Sequence, residues 1–264
     1  MLNEKSAMLG LTLANSCWFA YFRESRAAKI RLFCVPYAGG GPQIFQSWSE
    51  SLPAGTDVFC LNLPGRGKRF ADPPYSALMP LVEEATEVIL PLMDRPFAFF
   101  GHSMGALIAF EVLRGIRRQH GISPVHFFAS SCFPPHLPDP HPMHHLPDKE
   151  FLDELRTLNG VPKEVLENEE LMQLVLPTIR ADFTAAETYV YTNEAALSCP
   201  ITSFVGSRDP LITPELAKAW RVHTTGPFSF RMLPGDHFFL VPQQELLLSM
   251  LAAELTRRDS QPIV

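Results

Sequence analysis

The stretch from Pro96 to Arg118 constrains this chain more than any other: PFAFF, then GHSMG, then ALIAFEVLRGIRR. Five mostly apolar residues end at a Gly-x-Ser-x-Gly and an apolar run of helical length follows at once, which reads as strand, sharp turn, helix. Such a turn holds its central residue, Ser103, in a strained backbone conformation, while Gly101 and Gly105 leave room where strand and helix cross. The hydroxyl is pushed out above the sheet, in front of helix N–H groups that have no intrahelical partner. A bare Gly-x-Ser-x-Gly also occurs in loops by chance. What sets this one apart is that both flanks fit, and that an aspartate and a histidine follow in the chain order that goes with this turn.

The rest of the chain supplies a sheet for that turn to sit on. From Lys29, short apolar strands alternate with helical stretches, the pattern of an α/β fold with a mostly parallel sheet flanked by helices. RLFCV (Arg31 to Val35) is a strand that runs into PYAGGGP (Pro36 to Pro42), where three glycines let the backbone turn sharply beside a ligand at a strand's C-terminal end. Gln43 to Leu52 reads as a short helix, and DVFCLNL (Asp57 to Leu63) as the next strand. In the loop LPGRGKRF, Arg66, Lys68 and Arg69 read either as solvated cations or as a phosphate-binding group. Leu78, Leu81, Val82, Ala85, Val88, Ile89 and Leu92 recur at helical spacing, and the helix behind Ser103 is apolar nearly all round, so it should be the most buried.

After the strand Val125 to Ser131 the rhythm changes. Cys132 to Pro147 holds six prolines and four histidines; HPMHH lacks a helical i, i+4 pair, so a solvated loop is favoured over a metal site. Asp148 is positioned to cap a helix that Gly160 would end, and two further helices, Lys163 to Leu176 and Thr178 to Tyr189, are expected on either side of Pro177. This insertion, residues 133–198, reads as a helical lid above the nucleophile. Phe151, Leu155, Leu171, Met172 and Phe183 line an acyl channel on one reading and form the packing faces of lid helices on the other. Ile201 to Pro210 returns to the sheet, Phe228 to Leu233 is the last strand, and Pro242 to Leu255 closes the fold as a helix whose Leu246, Leu247, Met250 and Leu251 cover the sheet.

Length and composition bound the function. A chain of 264 residues, 46% of them hydrophobic, buries a large core and fits a single domain with an insertion, which excludes disorder as its main state. Net charge −6 with no basic run argues against nucleic acid; an acidic carrier protein would have to be met by a local basic patch. Five scattered cysteines without C-x-x-C spacing suggest reduced thiols in a cytoplasmic protein, with Cys34 and Cys60 as core. Residues 1–15 read as a poorly ordered leader rather than a signal peptide, Cys17 to Phe22 as an edge strand, and 257–264 as a polar tail. No run reaches the length of a membrane span.

A serine hydroxyl needs a base in contact and a group that orients the base. His237 sits after the last strand on a Pro-Gly turn; the other eight histidines lie in helices, in the proline loop or far from a strand's C-terminal end. Asp209, in the Gly-x-x-Asp loop between nucleophile and base, is the expected acid. Asp236 adjoins His237 and would need an unusual backbone bend to reach it, and Asp182 falls in a lid helix. The oxyanion should be held by two backbone N–H groups, of Met104 and of the glycine-rich loop at Ala38.

PYAGGG, LPGRGKR, FFGHSMGA, FVGSRDP and LPGDHFFL stand in the same order and context as in the type II thioesterases of polyketide and nonribosomal peptide synthesis, and in the medium-chain thioesterase of animal fatty acid synthesis. From Cys17 to Leu255 the chain resembles that family, within the α/β-hydrolase superfamily. The resemblance implies Ser103, Asp209 and His237 as triad, Ala38 and Met104 as oxyanion donors, and Tyr37 and Gly39 beside the substrate. Tyr37 stands where bacterial members often have histidine, and Asp236 where glycine is common. The implied reaction is hydrolysis of acyl thioesters on the phosphopantetheine arm of an acyl or peptidyl carrier protein, by a monomer needing neither metal nor cofactor. Carboxylesterase, lipase and acyl-CoA thioesterase activities use the same triad, and a silent carrier-binding module is the reading from another class.

Overall fold

The computed structural model describes residues 17–23, 28–161 and 163–259; the leader at 1–15 and the end of the tail lie outside them. Seven strands form one sheet in the order β1-β3-β2-β4-β5-β6-β7. They are β1 (Phe19–Arg23), β2 (Ile30–Val35), β3 (Thr56–Leu61), β4 (Phe97–His102), β5 (His126–Ser130), β6 (Ile201–Gly206) and β7 (Phe228–Leu233). β1 runs antiparallel to β3 at the edge, and every other pairing is parallel. Parallel strands leave all their C-terminal ends on one side. The loops carrying Ala38, Arg66, Ser103, Ser131, Asp209 and His237 therefore gather at a single edge although up to 199 residues separate them in sequence (237 − 38).

Apolar residues alternate along the strands so that both faces of the sheet are covered. On one face Phe33, Phe59 and Phe99 meet α2 (Leu78–Ile89) and α3 (Met104–His120); on the other Leu32, Cys34, Phe100 and Phe128 meet Phe45, the short α1 (Trp48–Ser51) and α8 (Gln244–Asp259). Helix α3 is buried continuously from Met104 to Ile116, as its all-round apolar pattern requires. The expected helix over Gln43 to Leu52 is instead a 3-10 turn at Pro42–Phe45 followed by α1. On α8 the covering face is Leu247, Leu248, Leu251 and Leu255, while Leu246 points to solvent. Cys34 and Cys60 are buried core residues.

Among the described residues no strand interrupts the region between Ser131 and Ile201. The insertion contains α4 (Asp148–Leu158), α5 (Lys163–Leu166) and α6 (Glu169–Glu187), and the short α7 (Pro214–Ala219) follows β6. Two boundaries differ from the sequence reading. Asp148 is the first helical residue rather than the cap, its carboxylate accepting from Arg180 Nη2 at 2.7 Å, and the left-handed residue that ends α4 is Asn159. Pro177 does not separate two helices but lies inside α6. An interior proline costs a helix about 3 kcal/mol; here the turn after it is tied into the body of the protein by Thr178, whose hydroxyl donates to Gly65 O, and by Asp182, paired with Arg66. The break comes earlier, where Asn168 caps α6 by accepting from Leu171 N–H at 3.1 Å.

The crossing of β4 and α3 has no space for a side chain. A Cβ added at Gly105 would stand 2.2 Å from Val35 O, and one at Gly101 2.3 Å from Gly105 O. Gly105→Ala is expected to cost at least about 3 kcal/mol in chemical denaturation. Gly55→Ala, where nothing lies within 4 Å, should stay within about 0.5 kcal/mol of the parent.

Candidate active site

Ser103 has φ 53° and ψ −125°, a conformation that L residues rarely adopt and that costs about 1–3 kcal/mol. Neighbouring backbone enforces it: Ser103 N–H donates to Ser130 O at 2.8 Å, and Ser103 O accepts from Ala106 N–H at 2.9 Å. His237 is almost fully buried, and its Nδ1 lies 3.1 and 3.0 Å from the two carboxylate oxygens of Asp209. Asp209 Oδ1 also accepts the N–H groups of Leu211 and Ile212. Burial pushes the Asp209 carboxyl up, yet the His237 bond and charge and these two amides outweigh it and hold the carboxyl below its ordinary range. Asp209 is thus fixed as an ionised acceptor against Nδ1, which leaves Nε2 for the cavity.

The rival carboxylates have other partners. Asp236 Oδ1 accepts Phe238 N–H within its own turn, and Asp182 binds Arg66 and Gly39. Ser103, His237, Ala38 and Met104 line one cavity of about 490 Å³. Among the described residues no hydrogen bond joins Ser103 Oγ to His237. Among the described residues the N–H groups of Ala38 and Met104 donate to no acceptor.

Of the five lid residues considered for the channel, Phe183 alone reaches the cavity. Phe151, Leu155 and Met172 are buried, Phe151 and Leu155 in a small core of the lid, and Leu171 is exposed. Tyr37 and Gly39 also lie off the cavity wall: Tyr37 packs edge-on against His102 and Phe238, and Gly39 turns its N–H to Asp182. Arg66 and Arg69 are neither solvated nor open to a phosphate, because Arg66 pairs with Asp182 and Arg69 with Asp72 and Glu84.

The proline loop is a wall of the cavity, contrary to the expectation of a solvated segment. Phe133, Pro134, Pro135, Leu137, Pro138 and Pro142 line the cavity, and distant partners hold two of the four histidines, while His141 and His145 are exposed. His144 Nδ1 lies 2.7 Å from Glu187, and His136 Nδ1 lies 2.8 Å from His223 Nε2. Those partners are 43 and 87 residues away, beyond any local sequence signal. Among the described residues no group of three or more His, Cys, Asp or Glu is placed to hold a metal, and no helix is long and apolar enough to cross a membrane.

The chain belongs to the thioesterase domain family, whose pattern matches residues 30–255. It is similar to linear gramicidin dehydrogenase LgrE of Brevibacillus parabrevis, 48% identical over 91% of this chain and 93% of that protein. It is also similar to the gramicidin S biosynthesis protein GrsT of Aneurinibacillus migulanus, at 44% identity over 90% of this chain and 93% of that protein. Among solved structures, RedJ, a thioesterase from the prodiginine biosynthetic pathway of Streptomyces coelicolor, superposes with a TM-score of 0.83 at 39% identity, covering 86% of this chain and 91% of that one.

Two histidines near the site are held neutral. Burial, reinforced by the charge of His237, lowers His102 to about 3; burial, reinforced by His136 and Arg114, lowers His223 to about 4. An unfolded histidine titrates near about 6.5, so between that pH and about 4 the unfolded chain binds more protons and stability falls as pH falls. The urea midpoint should therefore drop between pH 7 and pH 5, and His223→Phe should flatten that slope.

Proposed function

We propose that Ser103, His237 and Asp209 form a nucleophile, base and acid that hydrolyse acyl thioesters carried on the phosphopantetheine arm of acyl or peptidyl carrier proteins. The observation that carries this reading is the bond that His237 Nδ1–H donates, shared between both oxygens of the Asp209 carboxylate, set at the edge of a cavity that also contains the strained Ser103. His237 takes the Ser103 proton as Oγ attacks the thioester carbonyl. The N–H groups of Ala38 and Met104 receive the oxyanion, the thiol leaves with the proton, and water activated by the same histidine releases the acid. Relatives whose names place them in gramicidin S and prodiginine biosynthesis support a role beside such an assembly line. The name of LgrE speaks of dehydrogenation; the serine-centred arrangement in this chain is suited to acyl transfer.

The cavity, about 490 Å³, is lined on one side by proline and leucine side chains. The protein acts as a monomer in the cytoplasm, without metal or cofactor.

Intact mass of a carrier protein loaded with short and medium acyl groups reads the reaction directly. The acyl mass should disappear with the parent protein and persist with Ser103→Ala, whose rate falls by about 10⁴-fold or more. Persistence with the parent, together with cleavage of a matched oxygen ester, would replace this reading with that of an esterase. Asp209→Asn should lower kcat by about 10⁴-fold, whereas Asp236→Asn should cost less than about tenfold.

A further inference from the structure

A buried ion pair joins the lid to the loop that carries Ala38. Asp182, on α6, is 2% exposed, and Arg66, after β3, is 7% exposed. The guanidinium grips the carboxylate at both oxygens, Nη1 to Oδ2 at 2.6 Å and Nη2 to Oδ1 at 2.7 Å. The same Oδ2 accepts Gly39 N–H at 2.7 Å, and Arg66 Nη1 donates to Gly40 O at 3.2 Å. Arg66 is itself immobilised by Pro64 O, which accepts from Nε and Nη2.

Gly39 N–H belongs to the central peptide of a tight turn. Gly40 N–H donates to Tyr37 O at 2.9 Å, and φ of Gly39 is +75°, the sign that a type II turn requires at its third residue. Type I and type II turns differ by a flip of that central peptide, so an acceptor fixed against Gly39 N–H selects one of them. We propose that Asp182, braced by Arg66, is a positioning residue: it locks the Ala38–Gly39 peptide and so holds in place the whole turn on which Ala38, the proposed oxyanion donor, stands at the cavity. This inference rests on the reading of Ser103 as nucleophile and Ala38 as oxyanion donor. Because α6 also carries the cavity residues Phe183, Ala186 and Glu187, the carboxylate that sets the oxyanion donor arrives with the wall that contacts the acyl chain. A lid lifted off the loop would leave the hole incomplete.

Two double variants separate positioning from charge burial. Arg66→Met with Asp182→Asn removes both charges and keeps an acceptor for Gly39 N–H; Arg66→Met with Asp182→Leu removes the acceptor as well. Each is assayed for kcat and KM on an acyl thioester and for inhibition by an acyl trifluoromethyl ketone, which adds to the serine hydroxyl as a tetrahedral oxyanion. The asparagine variant should exceed the leucine variant at least tenfold in kcat, with an equal ratio in ketone affinity and KM within about twofold. Equal kcat in the two, or a difference confined to KM, or one without a matching change in ketone affinity, overturns the proposal. If neither double variant folds, Asp182→Asn alone is used. Arg66 then claims the one remaining carbonyl, an NH₂ faces Gly39 N–H, and kcat and ketone affinity should fall together by about tenfold or more; parent-like values of both overturn the proposal. Ketone inhibition of the parent that survives Ser103→Ala would instead overturn the underlying reading of Ser103, and the proposal with it.

Discussion

The close crossing of β4 and α3 at Ser103 is the constraint on which the rest of the site depends. Two glycines make it possible, and nearly every contact around them is to backbone: Val35 and Pro36 carbonyls beside Gly105, and the Gly105 carbonyl and Ala106 backbone beside Gly101. A strand and a helix that approach this tightly cannot slide past each other, so Ser103 is held fixed relative to both. The strain at φ 53° is sustained by packing that covers β4 and α3 on every side. A sheet with its strands parallel then brings the remaining groups to the same edge without requiring them to be near in sequence.

Over this rigid base the lid is attached unevenly. The C-terminal part of α6 is bound at Thr178, at Asp182 and at Glu187, and Arg180 reaches the carbonyls of His144 and Leu146. The N-terminal part exposes Leu171 and Leu174. A second network fastens the segment leaving the lid to α3, where buried Glu111 pairs with Arg114 and accepts the Tyr189 hydroxyl. The cavity is therefore walled by elements that are individually tethered to the core, although most of its lining comes from loops and turns.

The three residues proposed as nucleophile, base and acid could be picked out in the sequence because each sits in a local pattern: Ser103 between two glycines that follow an apolar strand, Asp209 past the end of β6, and His237 on a Pro-Gly turn after β7. The positions of the sheet strands and the all-round burial of α3 followed from apolar periodicity in the same way. What escaped was set by partners far along the chain. Arg66 gives no hint in its own loop that it meets Asp182, 116 residues away. Pro177 looked like a helix break because propensity acts locally, whereas the tertiary bonds at Thr178 and Asp182 override it. Leu246 reads as apolar, yet a shift of one residue around α8 turns it to solvent. The proline loop reads as solvated on its composition; in the fold much of it lines the cavity, and two of its histidines, His144 and His136, find partners at Glu187 and His223.

Four prolines in the cavity wall, Pro134, Pro135, Pro138 and Pro142, have a property beyond their apolar surface. Proline has no backbone N–H, so this irregular stretch, which any other composition would have lined with hydrogen-bond donors, offers none at those four positions. A carbonyl group entering the cavity therefore finds few places on that wall to dwell. Under the proposed reaction its oxygen is left to the amides proposed as donors at Ala38 and Met104, and orientation of the incoming group would be achieved as much by silence on one side as by attraction on the other.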